Sequence, residues 1–487
     1  MDFPVFHLDF MGNRMLMAII AILHVLVNHA IAVGFIPLVT LIEYRGYRCK
    51  KLNRDSFRDW DGFAYKLMFV AFILTTTIGA LTGVGIWFAA SLANPGSIGS
   101  LIRVFYGAWF TEWIVFVLEV VFVMYYFLTW KKSNESLQAK KRHLLFGGFL
   151  SVFSWLTMVI IVGILGFMMD PGSWLSDESM ITGFTNPVYL PQLMFRTPLA
   201  MIMGGTFALF LSFFFLRKRT DTARRAIRLI SFWILVWTPY TLIGAYVYYY
   251  QVPEFMVGNL QVALTTQNFE QWYDLLLKVI IISVSVALLI GVSGTIFPMR
   301  IPRWLMIVPL FVLFFFLGTF ERMREFIRKP YVIGDYMYAN ALIEDEYPLY
   351  KRDGILAHAT YVHSKKITEE NKLVAGKDVF MIACTRCHTT HGINSVIDKF
   401  EYLYGADKPL NVEAMKGFMK NMHNVRLFMP PFPGNEEELD ALAHYIKQLQ
   451  EFPESIEGAQ VSGTPVSPLD KNKLIENLEE NNEKPAK

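Results

Sequence analysis

The stretch Cys384-Thr385-Arg386-Cys387-His388 decides how the C-terminal part of this chain is read. Two thiols three positions apart can bond the two vinyl groups of one haem, and a histidine directly after the second can ligate its iron. The pattern is that of c-type haem attachment. The chain has only three cysteines, and two of them are here, which argues against coincidence. Two rival readings ask for more: a zinc half-site wants two further ligands nearby, and a thioredoxin-type dithiol wants a βαβ setting.

Gly376-Lys377-Asp378-Val379-Phe380 leads into the motif with helical spacing. Downstream, Met429-Pro430-Pro431-Phe432-Pro433 offers a thioether on a proline-stiffened loop. A Met opposite a His is a known axial pair and raises the haem potential. Met429 is therefore expected as the second axial ligand beside His388, with Met419, Met422 and His423 as competitors. Glu436-Glu437-Glu438-Leu439 then opens a helix through Leu442, Tyr445 and Ile446. Acidic residues in a first turn suit the helix dipole. This order resembles a class I cytochrome c over about residues 371–450.

Upstream the composition changes. Of 487 residues 54% are hydrophobic and 15% aromatic, including 41 Phe. A mean hydropathy of +0.35 is too high for a soluble chain of this length. Apolar runs of membrane-crossing length recur at 14–42, 63–91, 104–130, 144–169, 196–217, 226–250, 272–297 and 303–327. About 20 apolar residues cross a bilayer core as a helix, and in lipid a single segment of this kind satisfies its backbone only as a helix. The expected fold class is all-α: an eight-helix transmembrane bundle followed by a small helical cytochrome c domain. The expected ranges are 1–330 for the membrane domain, 331–370 for a periplasmic connector, 371–452 for the cytochrome c domain and 453–487 for a tail. The tail is rich in Glu, Asn, Lys and Pro and is expected to be disordered.

Charge sets an orientation. Arg45, Arg48, Lys50, Lys51, Arg54 and Arg58 follow the first run; Lys131, Lys132, Lys140, Lys141 and Arg142 follow the third. Arg217, Lys218, Arg219, Arg224, Arg225 and Arg228 follow the fifth, and Arg300 and Arg303 the seventh. The intervening loops carry only Arg103 or no basic residue, apart from Arg196 at the start of the fifth run. Basic loops stay cytoplasmic, so both termini and the Cys-x-x-Cys-His motif are expected on the periplasmic side of a bacterial inner membrane. That is the side where haem c is attached. The net charge of +3 is mostly these loops and gives no sign of a nucleic-acid partner. The first run is too long for a cleaved signal and reads as an anchor.

Ionisable groups inside lipid are costly and usually functional. The first run holds His24 and His29, five positions apart. That is about 140° on an α-helix, so the two should not face one iron. Glu112 and Glu119, seven apart, share a face and suit proton transfer or a haem site. The second run has Gly79, Gly83 and Gly85 with Thr75, Thr76, Thr77 and Thr82, small enough for a helix or a macrocycle to approach. Arg196 reads as a snorkelling end residue or a propionate holder. Glu321-Arg322-Met323-Arg324-Glu325 through Tyr331 is a dense charged stretch, for which a solvated helix end is the plain alternative. By helix rise, Glu112 lies about 12 Å and His24 about 15 Å from the outer ends of their runs, and Glu325 lies in its last turn. Residues 1–13 read as an interfacial segment with Phe3, Phe6, Phe10 and His7; His358 and His363 read as solvated; Cys49 reads as inert.

With these residues in view, about 14–335 resembles subunit I of the cytochrome bd quinol oxidases. His24, Gly34 and Glu43 stand at nearly the spacing of the family's ligand helix, with His29 as the alternative. Leu118-Glu119-Val120 through Trp130 resembles its third helix, with Glu112 one position off. Met169-Asp170-Pro171 and Asn186-Pro187-Val188 match loop landmarks, and Glu325, Arg328 and Pro330 match the Glu and the Gly-Arg-Gln-Pro-Trp motif, with Ile327, Lys329 and Tyr331 departing from it. The resemblance implies haem b or haem d, or both, in the membrane, with His24 and Glu325 as iron ligands. It implies Arg328 and Arg196 at propionates, Glu112 and Glu119 moving protons, and a second membrane subunit. Arg196 stands where the family has a low-spin haem histidine, Ile280 falls near the methionine partner, and the quinol loop shrinks to 251–271. The expected function is electron transfer in a respiratory chain between haem c and membrane haems, in an oxidoreductase subunit that reduces O2. The electron partner is a periplasmic c-type cytochrome or a respiratory complex. The alternative is an electron conduit or docking subunit without O2 chemistry; a vestigial scaffold is the remaining reading.

Overall fold

The computed structural model describes residues 6–216, 220–264, 272–300 and 302–451. Phe3, the basic residues 217–219 and the tail 453–487 lie outside the described residues. Among these, eight helical segments are long and apolar enough to cross a membrane: Asn13–Lys51, Phe57–Ala93, Tyr106–Leu128, Leu137–Phe167, Tyr189–Phe215, Asp221–Gln251, Lys278–Ile296 and Trp304–Ile327. They are spans one to eight below. Among the described residues the only strands are Tyr331–Ile333 and Met337–Tyr338.

The spans outrun the apolar runs because polar caps start them earlier. Ser136 accepts a hydrogen bond from the Ala139 amide at 3.0 Å and opens span four. Thr220 does the same for span six through Ala223 at 3.1 Å. Each cap satisfies an amide that the helix itself cannot. As a result His143, just ahead of the apolar run 144–169, lies within span four and is buried.

Two spans leave α geometry. Span one is a π-helix over Asn28–Phe35, and span two over Thr75–Gly79. In span two the hydroxyls of Thr75, Thr76 and Thr77 donate to the carbonyls of Ala71, Phe72 and Ile73 at 2.8, 2.6 and 2.6 Å. Each of these three hydroxyl donors thus has an acceptor within its own helix, as an apolar surrounding requires. π-Segments frequently mark functional positions, and His29 lies in the first of them.

Span five is the hub. Its apolar window is 78% buried, against 17–39% for the other spans. Spans one and five cross backbone to backbone: a Cβ on Gly34 would run into the Ala200 carbonyl, and one on Gly204 into the Gly34–Phe35 peptide. Small residues permit such an approach, and close packing drives helix association in lipid. Pro198 lies within span five and cannot donate to the Met194 carbonyl one turn before it. Gly244 of span six presses onto that carbonyl, where any side chain would collide. Val33, Met158, Val162, Tyr189, Ala200 and Met201 form a core cluster here.

The chain divides into two compact units. One is Ala18–Phe88 with Gly99–Tyr336; the other gathers Met1–Met17, Ala89–Ile98 and Met337–Lys487. In the second, a short helix Tyr347–Asp353 precedes the helices Lys372–Ala383, Val396–Tyr404, Val412–Val425 and Glu436–Glu451. Lys372–Ala383 and Glu436–Glu451 meet at Gly376, whose Cβ would strike the Ala441 carbonyl. The buried Glu438 carboxylate accepts from the Ile355 and Leu356 amides, both at 2.8 Å, and so fastens residues 355–356 to the last helix. His363, read as solvated, lies 2.8 Å from Asp378 through Nδ1, though its side chain remains 66% exposed.

Candidate functional site

In the C-terminal unit the helix Lys372–Ala383 ends in the Cys-x-x-Cys-His turn. The Cys387 and His388 amides both donate to the Cys384 carbonyl, at 3.0 and 2.9 Å. Arg386 donates from Nη1 to the Met381 and Ile382 carbonyls and closes the helix end. Burial, with the Cys387 thiol beside it, pushes the Cys384 thiol up to about 12. A redox dithiol is activated by the opposite shift. Among the described residues no group of three or more His, Cys, Asp or Glu is placed to hold a metal ion, so the zinc alternative finds no ligand set.

His388 Nδ1 lies 3.2 Å from the Asn394 carbonyl. A carbonyl only accepts, so Nδ1 carries the proton and Nε2 keeps its lone pair, the arrangement of a metal-ligating histidine. Burial lowers the imidazole to about 4, which keeps it neutral at physiological pH. Met429 is half-buried on its proline loop. Its amide donates to the Arg426 carbonyl at 2.8 Å, and its carbonyl lies 2.6 Å from His423 Nδ1. His423 thus braces the loop, while Met419 is buried in the helical core. Two thiols, a neutral imidazole and a thioether fit haem c.

In the membrane unit the two histidines of span one part company, as their spacing predicts. His24 packs on Gly83, whose Cβ would lie 3.2 Å from the ring, and its Nδ1 is 3.1 Å from Thr82 Oγ1. The Thr82 hydroxyl hydrogen is given to the Ile78 carbonyl at 2.6 Å. Oγ1 therefore accepts from Nδ1–H, and His24 Nε2 is left with a lone pair. His29 is buried, with Nε2 3.1 Å from Arg196 Nη1. A guanidinium only donates, so this lone pair is already used.

Arg196 is fully buried, so it does not snorkel. Its Nη2 lies 2.7 Å from Glu321 Oε1, and Arg324 Nε lies 3.0 Å from Glu321 Oε2. Arg328 pairs with Glu325 and donates to the Val332 carbonyl at 2.7 Å. Glu321, Arg328 and Lys329 are all buried, so this is no solvated helix end. Four cations (Arg196, Arg324, Arg328, Lys329) face two carboxylates (Glu321, Glu325). Arg196 Nε, Arg324 Nη1 and Arg328 Nε are buried without a hydrogen-bond partner among the described residues. Unused donors and a surplus of positive charge suit an anionic group such as a pair of porphyrin carboxylates.

Glu119 is buried and accepts from Ser154 of span four at 2.7 Å; Glu112 is half-buried on the same helix. A further cluster escaped sequence reasoning. Lys140 Nζ is 2.6 Å from Glu43 and 2.5 Å from Asp61. His143 Nδ1 is 2.7 Å from Glu43, its Nε2 is 2.8 Å from the Tyr126 carbonyl, and the Tyr126 hydroxyl donates to Glu43. Both imidazole nitrogens thus face oxygens. Lys140 was legible only as part of a basic loop, and His143 and Asp61 lie just before apolar runs, so no periodicity marked them.

Residues 371–446 match the family described as cytochrome c oxidase, cbb3-type, subunit III, and this part of the chain is a cytochrome c domain. The bd oxidase from Geobacillus thermodenitrificans is similar in fold, with a TM-score of 0.52 at 14% identity over 67% of this chain and 89% of that chain. No curated protein matches the chain. The chain joins a bd-oxidase-like membrane fold to a cytochrome c domain. It is a multi-pass membrane protein of haem electron transfer, with haem c as a cofactor and with redox partners.

Proposed function

We propose that electrons pass in this chain between haem c and one or two haems of b or d type in the membrane unit, within a respiratory oxidoreductase subunit that reduces O2 to water. Haem iron supplies the one-electron chemistry. Cys384 and Cys387 would hold haem c covalently, with His388 and Met429 at its iron. One or two membrane haems would be bound through Glu325 and through His24, the better of the two histidines because its Nε2 lone pair is open. Arg196 and Arg328 would hold propionates. The observation that carries the membrane haem is the buried surplus of guanidinium donors at the end of span eight. Reduction of O2 to water consumes a proton for each electron, and Glu112 and Glu119 are the groups on one helix face that could deliver it.

The proposed setting is a bacterial inner membrane, with both termini and haem c periplasmic. A second membrane subunit and a periplasmic c-type cytochrome or respiratory complex are the partners. The proposed domains are 1–330, 331–370 and 371–452. A second reading, an electron conduit or docking subunit without O2 chemistry, is favoured by one observation: Arg196, which stands where the resembled family has a low-spin haem histidine, is buried against His29 and Glu321.

A pyridine haemochrome assay with reduced and CO-difference spectra on the protein purified with its partners tests the proposal. One haem c with at least one haem b or d is expected. A preparation holding only haem c would sink it. Oxygen uptake driven by reduced haem c and abolished by His24→Ala would exclude the conduit.

A further inference from the structure

The segment before span one, read from sequence as interfacial, lies in the same compact unit as the cytochrome c domain and grips the loop that follows His388. The Asp9 carboxylate accepts from the Thr390 amide at 2.6 Å, the Thr390 hydroxyl at 2.6 Å and the His391 amide at 3.3 Å. His7 Nε2 lies 3.0 Å from the same carboxylate. Burial alone would raise the Asp9 carboxyl; the hydrogen bonds from His7, Thr390 and His391 outweigh it and hold the group well below the ordinary carboxylate range.

Both sides of the contact are shaped for it. Gly12 has φ +81°, and a Cβ there would sit 3.1 Å from Thr389 Cγ2. Gly392 lies against the Asp9 and Phe10 carbonyls, where any side chain would collide. The segment is also tied to itself: the Gly12 amide donates to the Leu8 carbonyl at 2.6 Å, and Asn13 Nδ2 to the Phe6 carbonyl at 2.5 Å.

The gripped loop ends on Asn394, whose carbonyl faces His388 Nδ1. Asn394 has φ +64° and donates from Nδ2 to the Cys387 carbonyl at 2.6 Å. The Ser395 hydroxyl donates to the Thr390 carbonyl at 2.6 Å, so the two ends of the loop are closed on each other. A carbonyl that accepts firmly from Nδ1–H raises the basicity of the ligating nitrogen. A more basic ligand favours ferric iron and lowers the potential.

We propose that Asp9 is a positioning residue for haem c: by fixing Thr390 and His391 it holds loop 389–394 in the shape that aims the Asn394 carbonyl at His388. This rests on the assignment of Cys384, Cys387 and His388 to haem c. The chain leading into the first membrane span thereby takes part in setting the haem c potential.

The test uses the full chain with haem c bound, as Asp9→Asn and Thr390→Val. Asp9→Asn removes the charge and acceptor strength; Thr390→Val removes one hydrogen bond and leaves the charge. Two readouts are taken: the haem c midpoint potential and amide hydrogen exchange at Thr390 and His391. Both variants should move the potential upward and speed exchange, about tenfold or more, as expected for loss of a hydrogen bond to a charged group. An unchanged potential in both overturns the inference. A shift in Asp9→Asn alone would assign the effect to charge and overturn the positioning role. If Asp9→Asn does not fold, Thr390→Val decides by itself. Absence of covalent haem from the unsubstituted chain would instead overturn the haem assignment on which all of this stands.

Discussion

In the cytochrome c unit, three of the groups for one iron porphyrin sit within five consecutive residues, Cys384 to His388. In the membrane unit, the groups that meet are 167 positions apart in the case of His29 and Arg196, and they meet through a crossing of two helices. The first arrangement is written in local spacing and survives as a motif. The second depends on Gly34, Ala200 and Gly204 bringing spans one and five together, and it has no linear signature. A buried charge cluster in a membrane is therefore invisible as a cluster until the packing is known, although each member is conspicuous alone.

That contrast can be broken or sharpened by substitution. The largest effect is expected from Cys384→Ala with Cys387→Ala: all covalent haem should disappear from the denatured chain on a haem stain, with the membrane helices still formed by circular dichroism. Next, Lys140→Met leaves Glu43 and Asp61 buried without their cation. It should cost about 3–5 kcal/mol, the range for removing one partner of a buried ion pair, read from thermal unfolding in detergent. If instead the loss is negligible, the cluster is hydrated and its burial is of little consequence. Thr82→Val removes the acceptor that orients His24. Under the proposed ligation, retention of the membrane haem should weaken about ten- to a hundredfold, the usual effect of losing an outer-shell partner of a ligand, measured by haem titration. The smallest effect is expected from Ser154→Ala, which takes one hydrogen bond from Glu119 and should cost about 1–3 kcal/mol in the same unfolding assay, as for a bond to a charged or buried acceptor.

Much of this was legible in the sequence. Runs of apolar residues are long and repetitive, so the eight spans and the all-α class followed from composition alone. The cytochrome c domain followed from the spacing of Cys384, Cys387 and His388. The divergence of His24 and His29 followed from helix periodicity, even though a π-segment begins between them. What was hidden was pairing. Arg196 looked like an end residue because it stands at the edge of an apolar run; its buried contacts with His29 and Glu321 are set by the crossing angle of other helices. The burial of His143 was hidden because hydropathy cannot see a helix that starts at a Ser136 cap. Asp9 looked interfacial because nothing local connects it to residues more than three hundred and eighty positions later.

The meeting of spans one and five has a mechanical consequence. With Gly34 seated on the Ala200 carbonyl and Gly204 on the Gly34–Phe35 peptide, no acyl tail, quinone or water file can slip between the two helices at that depth. Any gate admitting a small molecule toward His29 must therefore open on another side, and widening this one with a bulkier residue at Gly34 would separate Arg196 from His29 before it created a passage.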